Sequence, residues 1–487
     1  MELSAFIALT PQLIIASGVV LAMLLVAWQR SQKMIAYFTT LILLMAIIAT
    51  VDAMGGEKTF VTTLLAVDDY SRYAFILVLV SSLCCVYLST LTLSQGVEVH
   101  DEYYLLLLLV VLGAGILIVS EHFASLFLGF ELLSIALVGL VGYFRQSQFS
   151  VETGFKYLIL SASASSFMLL GIAFIYAQTG DLSFSHAVVE QANSTLYASL
   201  NQSVLYQLGF ILFFAGIAFK LSLVPFHYWT PDVYQGASTP VTLLLATVSK
   251  CAMFIVLLKC CFTASHFSLI QGSNVFSFIA WLAILSMIVG NCLALKQQKI
   301  KRLLGYSSIA HMGYLLIVVL LGNLAGIDFA WQSALFYLSA YLLANVSIFT
   351  VLTFSDKSAE GNTVTINSWQ GLFWRQPLLA TLVIFSVLSF AGIPLTAGFI
   401  GKFYLVSFAA DHALWSLLAA LIVGSGIALA YYLPVIFTLF SEPKVTDAEE
   451  AQLEITLADK SLVSLYIALG FVLGVYPDVI GKLLQQL

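Results

Sequence analysis

Charged residues are scarce in this sequence, and their scarcity excludes most kinds of protein. Aspartate, glutamate, lysine and arginine make up 9% of the 487 residues and 61% are hydrophobic, whereas soluble proteins are roughly a quarter charged. Soluble globular, disordered, collagen-like and coiled-coil classes therefore do not fit. Basic residues are not in excess either. The 19 Lys and Arg against 25 Asp and Glu give a net charge of -6, which excludes nucleic-acid binding.

Motifs for bond-making chemistry are also absent from the sequence. Of the six cysteines, no pair has the C-x-x-C spacing of a zinc, iron-sulfur or thiol-redox site, so we interpret them as small apolar residues. There is no G-x-G-x-x-G, no phosphate-binding loop, no nucleophile elbow and no cluster of metal ligands. We therefore expect this chain to bind no cofactor or metal. The first apolar run, from Pro11 to Trp28, has no basic stretch before it, which favours a retained span over a signal peptide.

Long apolar runs separated by short polar joints fill most of the sequence. About twenty residues cross a bilayer core, and each crossing must be helical because lipid offers no partner for bare backbone groups. We predict an all-α polytopic membrane protein with about fourteen transmembrane helices. The predicted spans are near 11-28, 34-52, 73-94, 103-120, 123-144, 154-177, 204-235, 239-262, 275-296, 303-322, 329-354, 378-409, 413-440 and 461-483.

The distribution of basic residues predicts the orientation of the chain. If the first span runs from outside to inside, eleven basic residues lie on the cytoplasmic side and four on the other, as the positive-inside rule requires. Both termini are then on the outer face. The cytoplasmic residues are Arg30, Lys33, Arg145, Lys296, Lys299, Lys301, Arg302, Lys357, Arg375, Lys444 and Lys460, and the outer ones are Lys58, Arg72, Lys259 and Lys482.

Four lysines remain, and they fall inside predicted helices, where a charge at mid-bilayer costs about 2.5 to 3.5 kcal/mol. They are Lys156, Lys220, Lys250 and Lys402, and one mid-span carboxylate, Glu131, accompanies them. A purely structural set of ion pairs should be neutral, whereas this set has surplus base, which favours mobile protons. The alternative interpretations are buried ion pairs that hold helices together and, for Lys156 near a span end, a side chain that snorkels to the interface.

Two long spans are interrupted by proline, at Pro225 in KLSLVPFHYWTPD and at Pro394 in AGIPLTAGFIGKF. A break in mid-bilayer is tolerated only where protein or water satisfies the freed backbone groups. Paired broken helices in two halves of a chain are typical of transport pathways. His227, two residues after Pro225, either passes protons at the break or bonds the freed carbonyls.

An internal repeat accompanies the breaks. Shifting the chain by 180 residues pairs Glu131 with His311, and the dipeptide Lys156-Tyr157 with Phe336-Tyr337. Spans 4 to 8 and 9 to 13 then form units of five helices, and an odd number forces opposite orientation, so we predict two inverted five-helix repeats, each with a broken helix. The predicted segments are 1-98 with three helices, 99-265 with the first repeat, 270-442 with the second, and 443-487 with a loop and the final helix.

The breaks also suggest which lysine holds its proton more firmly. Lys220 closes a first half-helix, where the dipole favours a cation, and Lys402 lies in the early turns of a second half-helix, where the dipole disfavours one. We therefore expect the higher proton affinity at Lys220. The serine-rich run 161-166, SASASS, is most simply a close-packing face.

With these residues assembled, the chain resembles the antiporter-like membrane subunits of respiratory complex I, the proton-pumping NADH:quinone oxidoreductase, from about residue 100 to 440. FKLSLVPFHYWTPDVYQGAS and TPVTLLLATVSK look like the seventh and eighth helices of that family, KRLLGYSSIAHMGYLL like the tenth, and AGIPLTAGFIGKFYLV like the twelfth. Three features favour the subunit N branch of the family. They are the sequence motif WTPDVYQGA, a lysine rather than a glutamate at position 402, and a C-terminal end without a long lateral helix.

The resemblance implies a role for each candidate residue. These roles are Glu131 as the acidic partner, Lys156 as an auxiliary member of the polar axis, Lys220 as the input lysine that pairs with Glu131, Lys250 and His311 as the central relay, and Lys402 as the exit residue, with Pro225, His227 and Pro394 in support. The implied function is proton translocation across the inner membrane, driven at a distance by NADH oxidation and quinone reduction.

The resemblance also implies neighbours, namely other antiporter-like subunits and the small membrane subunits that lead to the quinone site. NADH, flavin, iron-sulfur clusters and quinone are then expected on other chains. Three alternatives stay open at this point: a subunit of a multi-subunit cation/proton antiporter, a membrane subunit of a hydrogenase complex, and a structural spacer whose charges only hold helices together.

Overall fold

The structure, a computed structural model, describes residues 3-28, 31-93, 102-144, 148-184, 203-262, 274-358, 364-442 and 456-485. The predicted segment boundaries at residues 98, 265-270 and 443 lie outside these ranges. So do three of the basic residues that determine the predicted orientation, Arg30, Arg145 and Lys444.

Helices make up most of the described chain. The first eleven are α1 (Leu3–Ala8), α2 (Thr10–Trp28), α3 (Gln32–Asp52), α4 (Asp69–Leu93), α5 (Glu102–Val119), α6 (Phe123–Val141), α7 (Gln148–Thr179), α8 (Val204–Leu221), α9 (Trp229–Gly236), α10 (Thr239–Ala246) and α11 (Val248–Phe262). The others are α12 (Asn274–Ala294), α13 (Ile300–Ala325), α14 (Ile327–Ser358), α15 (Leu372–Arg375), α16 (Pro377–Ala391), α17 (Ala397–Asp411), α18 (Trp415–Phe440), α19 (Leu457–Val475) and α20 (Asp478–Gln485). A 3-10 turn covers Ile366–Trp369, and strands β1 (Thr59–Phe60) and β2 (Ala66–Val67) pair as a short antiparallel hairpin.

Thirteen helices of the described ranges are long and apolar enough to cross a membrane, with α10 and α11 counted as one. α16 and α17 are each shorter, and together they occupy the predicted span 378-409. The prediction of an all-α polytopic membrane protein is therefore confirmed, with fourteen positions that match the predicted spans. One prediction of length is wrong: the span 461-483 ends at Val475 and resumes as the separate helix α20, because Pro477 cannot continue a helix.

The centre of the bundle lies around α11, α13 and α14. The membrane-crossing stretch of α10 and α11 is completely buried and those of α13 and α14 nearly so, whereas less than a quarter of α2 is buried. Burial of apolar surface does not drive this packing, because lipid is as apolar as leucine; close van der Waals contact does. Gly171 of α7 shows how close the helices come, since a Cβ there would lie 2.3 Å from the backbone nitrogen of Phe213 in α8.

A charged cluster lies at the end of the bundle that carries the β-hairpin. The Lys259 ammonium, at the end of α11, lies 3.9 Å from Glu121 and 4.0 Å from Asp68 and donates to the Ala66 carbonyl. Lys58 pairs with Glu121 at 3.1 Å from a more exposed position. Burial by itself raises the pKa of the Asp68 carboxyl, but Lys259 and hydrogen bonds from Ser71 outweigh it and hold that pKa below its usual value.

Replacing Lys259 with alanine should destabilise the protein by about 3 kcal/mol, because the partly buried Asp68 loses its contacting cation and the buried Glu121 keeps only Lys58. Thermal unfolding in detergent measures the effect, and the exposed Lys58→Ala variant, expected to cost less than about 1 kcal/mol, is its control. The ionised Asp68 carboxylate contributes to the free energy of unfolding above about pH 3.9, the pKa of the carboxyl in the unfolded chain. This contribution is lost as the pH falls through the lower pKa that Asp68 has in the folded protein. A Lys259→Ala effect no larger than the Lys58→Ala effect would contradict this account.

Candidate functional site

The first predicted break is present and is built from backbone groups that side chains satisfy. α8 ends at Leu221 and α9 begins at Trp229, with Pro225 between them. The Trp229 indole donates to the Phe219 carbonyl at 2.8 Å, and Ser286 of α12 accepts from the Val224 amide at 2.9 Å. These bonds replace the helical bonds lost at the break, which is what a break inside a membrane protein requires.

Three other polar atoms at this break are buried and have no hydrogen-bond partner among the described residues. They are Ser222 Oγ, His227 Nδ1 and Thr230 Oγ1. Buried polar groups without a protein partner are usually satisfied by bound water. The His227 ring also interacts with the Pro225 backbone at the break, so both roles predicted for it stay open, and the break has the polar groups that water needs.

Lys220 is buried at the end of α8 and is surrounded by hydroxyls and aromatic rings. Its ammonium donates to Ser134 Oγ and to the Tyr157 hydroxyl, both at 2.9 Å. It also lies 5.3 Å from the centre of the Phe130 ring. Neutral acceptors and ring faces hold the cation where it has no contact with a carboxylate.

Glu131 and Lys220 do not form the ion pair that the resemblance implies. The Glu131 carboxylate instead accepts from the Ser165 hydroxyl, so the serine-rich run supplies a polar contact as well as a packing face. Glu131 and Ser134 lie about one turn apart on α6, so the carboxylate stands next to the serine that Lys220 contacts.

Lys250 lies at the centre of the protein and is fully buried. Its ammonium donates to Ser308 of α13, and Ser308 also bonds the Tyr341 hydroxyl of α14. The Tyr234 hydroxyl lies 3.5 Å from Ser308. Just before Lys250, Thr247 separates α10 from α11 as a local distortion, although its backbone stays in the right-handed helical region and the Thr247 and Cys251 amides still donate to the carbonyls four residues earlier. No proline or glycine marks this distortion in the sequence.

His311 lies one turn beyond Ser308 on α13 and connects the centre to the second half. Its Nδ1 is 2.7 Å from the Tyr337 hydroxyl, and its ring contacts those of Tyr341 and Phe390. A cavity of about 10 Å³ opens beside it, lined partly by Ser389 and Phe390 of the second break. Such a volume holds one water molecule.

The second predicted break is also present, between the end of α16 at Ala391 and the start of α17 at Ala397, with Pro394 between them. Lys402 of α17 extends back across the break. Its ammonium donates to the carbonyls of Phe390 and Ala391, each at 3.0 Å, and to Ser425 at 3.3 Å. The ring of Tyr314 lies 4.9 Å from it.

This arrangement removes the reason for expecting a higher proton affinity at Lys220. The prediction placed Lys402 near the positive end of a half-helix dipole. Its backbone is there, but its flexible side chain carries the charge to the carbonyl end of α16, where a dipole favours a cation. Lys220 and Lys402 therefore occupy equivalent positions, each beside the last turn of a first half-helix.

Lys156 does not lie with the other candidates. Its side chain is 53% exposed on the outer surface of α7 and pairs with Glu152 at 2.6 Å, one turn away. The helix turns the next residue, Tyr157, inward to Lys220 instead. The implied role of Lys156 in the polar axis has no support from this geometry, because the two consecutive side chains point to different faces of the helix.

Several residues that contact the buried lysines and His311 were not predicted from the sequence. The internal repeat of 180 residues is the signal that could have identified them. The same shift of 180 residues that pairs Glu131 with His311 pairs Ser134 with Tyr314 and Tyr157 with Tyr337. Ser134 and Tyr157 bond Lys220. Their counterparts contact Lys402 and His311. A further polar branch, in which Asn291 joins Tyr314 to Tyr431, adjoins this site.

The buried lysines Lys220, Lys250 and Lys402 carry positive charge that no contacting carboxylate among the described residues balances. Within the described part of the chain, no carboxylate lies within 4 Å of the ammonium groups of Lys220, Lys250 or Lys402. The described ion pairs belong to the ends and surface of the bundle. In the same ranges, no three His, Cys, Asp or Glu side chains come together as a metal site.

Comparison with known proteins identifies this arrangement. A family profile described as NADH:quinone oxidoreductase/Mrp antiporter, TM, matches residues 120–428. A protein of Ectopseudomonas mendocina named NADH-quinone oxidoreductase subunit N is 39% identical over 99% of this chain and 96% of its own. A chain in the structure of respiratory complex I from Thermus thermophilus with bound Aureothin is 30% identical, with a TM-score of 0.81, and the match covers 97% of this chain and 98% of that one.

A more distant likeness shows the fold alone. A chain of the Mrp complex from Dietzia sp. has a TM-score of 0.82 over 100% of this chain and 97% of its own, at only 19% identity. The sequence therefore stands much nearer to the subunit N relative than to this one, although the folds agree equally well. This chain belongs to the NADH:quinone oxidoreductase/Mrp antiporter transmembrane family, and within it to the subunit N family.

Proposed function

We propose that this chain is a proton-translocating membrane subunit of an NADH:quinone oxidoreductase, with no redox reaction of its own. The observation that carries the proposal is the set of three buried lysines that contact no carboxylate among the described residues and that each bond hydroxyl or carbonyl oxygens. The subunit N relative supports the assignment to this complex. Neighbouring membrane subunits and quinone reduction on other chains follow from the same relationship.

Buried lysines of this kind suit proton transfer because their charge is only weakly compensated. Burial disfavours the ammonium form, and an approaching carboxylate favours it, so a Glu131 carboxylate that alternates between Ser165 and Lys220 changes the proton affinity of the lysine. A hundredfold change in affinity corresponds to about 2.7 kcal/mol. Moving one charge through 100 mV takes about 2.3 kcal/mol. A rotation that changes the affinity a hundredfold would therefore match the work of a single proton step.

The proposed path follows the described contacts. A proton released by Lys220 passes through the first break toward Lys250. Water at the break, bound to the side chains of Ser222, His227 and Thr230, carries it. From Lys250 it moves through Ser308 and Tyr341 to His311. The small cavity beside His311 admits one water between the histidine and the second break, and Lys402 releases the proton from there.

The inverted repeats and the orientation remain part of the proposal. The shared positions of Ser134 and Tyr314, and of Tyr157 and Tyr337, support two related halves with one lysine at each break. The excess of basic residues on one side supports an inner-membrane protein with both termini on the outer face. We place the exit beyond Lys402 on the same outer side.

A direct test uses inverted membrane vesicles from cells whose only copy of this subunit is the one studied. We expect NADH to acidify the vesicle interior, and we expect Glu131→Gln to lower this pumping roughly tenfold at unchanged abundance of the assembled complex. A specific quinone-site inhibitor should abolish the signal. Sodium- or potassium-driven acidification that needs neither NADH nor quinone would instead assign the chain to a cation/proton antiporter.

The structural-spacer interpretation makes an opposite prediction. If the charges only hold helices together, replacing Glu131 with glutamine and Lys220 with methionine in one chain should preserve pumping, because no uncompensated charge is left. We expect the double variant to assemble and to pump no better than either single variant. Proton uptake by vesicles at equal amounts of assembled complex measures the difference.

A further inference from the structure

A large cavity opens on the side of the helix bundle, away from the buried residues Lys220, Lys250, His311 and Lys402. It has a volume of about 780 Å³ and lies between α3, α4, α5 and the beginning of α19. Tyr104 of α5 and Val86 of α4 form part of its buried floor, while Tyr37 at its rim is 76% exposed. Cavities of 300 to roughly 1,000 Å³ are typical of small-molecule sites. None of the residues of the proposed proton path lines this cavity.

The lining changes character with depth. Most of its polar members, among them Lys33, Tyr37, Thr90 and Tyr104, lie at the end of the bundle where α3 and α5 begin and α4 ends, and Thr40 lies about two turns deeper on α3. Deeper members such as Leu44 and Leu83 are apolar. Along α3, the eleven residues from Lys33 to Leu44 span about 16 Å, which is close to half of the roughly 30 Å hydrocarbon core. The cavity thus runs from the headgroup level to the middle of the membrane.

The rim carries one positive charge, on Lys33, for which the described residues supply no ion-pair partner. Lys33 is exposed, and the described residues place no carboxylate within 4 Å of its ammonium. The hydroxyls of Tyr37 and Tyr104 make no hydrogen bond with the described chain. The nearby carboxylate of Asp459 is already bonded by Tyr87 and Thr456. The groups left available to a ligand are therefore one cation and two hydroxyls, which are suited to a phosphate.

We propose that this cavity binds an anionic phospholipid from the surrounding bilayer. The phosphate lies beside Lys33 and the tyrosine hydroxyls, and an acyl chain lies against Leu44 and Leu83. Basic pockets between transmembrane helices are known to bind anionic headgroups, and the apolar depth of this one equals the length of a single leaflet. A bound lipid joins the N-terminal helices α3 and α4 to the C-terminal helix α19, which also lines the cavity through Leu462.

Photolabelling of the complete complex in detergent tests the proposal. The probes are a phosphatidylglycerol and a phosphatidylcholine that carry the same diazirine in one acyl chain. We expect the phosphatidylglycerol probe to label peptides of α3, α4 and α19, and the phosphatidylcholine probe to label them several times less. Because one lysine near a membrane surface contributes about 1 kcal/mol to anionic lipid binding, Lys33→Gln should lower the labelling about fivefold.

Two further variants make the result decisive. Lys296→Gln removes an exposed lysine outside the cavity and should leave the labelling unchanged. Leu83→Trp fills the cavity without altering charge and should abolish it, with the abundance of assembled complex as the check on folding. Equal labelling by the two probes, or no loss in Lys33→Gln, overturns the proposal. A photocrosslinker at Leu44 that captures another subunit instead of lipid overturns it as well.

Discussion

Replacing Lys250 with alanine should lower NADH-driven proton pumping by roughly 10²-fold, which is the usual range for loss of a proton-transferring side chain. Lys250 is the only buried lysine of the described chain that joins both halves, through Ser308 and Tyr341. Alanine removes the amine and leaves an apolar gap that no hydroxyl spans. Acidification of inverted vesicles per NADH oxidised measures the effect.

The control for this variant is Lys156→Ala, which removes a lysine of the same chain from an exposed position. It should leave pumping within about twofold of the original, since an exposed pair on a helix contributes only about 0.3 to 0.5 kcal/mol. Both variants are compared at equal amounts of assembled complex. Normal pumping by Lys250→Ala would show that the proton passes elsewhere, and a large loss in Lys156→Ala would return that residue to the pathway.

Replacing Gly398 with alanine should destabilise the second break and reduce pumping at least tenfold. A Cβ at this position would lie 1.8 Å from the Ser389 carbonyl oxygen, so α17 must move away from α16. Overpacking of this kind costs about 1 to 3 kcal/mol. The movement also separates Lys402 from the carbonyls of Phe390 and Ala391 that hold its ammonium. Thermal unfolding and vesicle acidification measure the two consequences.

Gly426→Ala is the matched control, because the same methyl group on α18 meets nothing within 4 Å. It should leave pumping unchanged and should not lower the unfolding temperature, because alanine is about 1 kcal/mol more favourable than glycine inside a helix. A Gly398→Ala protein that unfolds at the normal temperature but pumps poorly would assign the effect to Lys402 alone. Normal pumping in that variant would mean that the close contact at the second break is dispensable.

The large features of the fold were predictable because the membrane restricts what a sequence can do. Hydrophobic runs of fixed length must be helices, and a proline in such a run must have partners for the groups that it frees. The two breaks at Pro225 and Pro394 were found in this way. The local distortion at Thr247 was not, since no residue that breaks helices marks it in the sequence.

The candidate site was predictable only in part. The cost of burying charge selected Lys220, Lys250, Lys402 and Glu131 without any structure. The same argument also selected Lys156, because composition says that a lysine lies within a span but not which way it points. A rotation of one residue along α7 places Lys156 at the surface and Tyr157 at Lys220.

By itself, then, the sequence determined the number of crossings, the places of the two breaks and the types of residue that must be accommodated in the membrane. Only the tertiary structure decided which of those residues meet. The long, flexible lysine side chains reach well beyond their own backbone positions, so Lys402 extends back to α16 and the helix dipole no longer distinguishes it from Lys220. The hydroxyls that connect the lysines are ordinary serines and tyrosines, which acquire a role only when separate helices bring them within hydrogen-bonding distance.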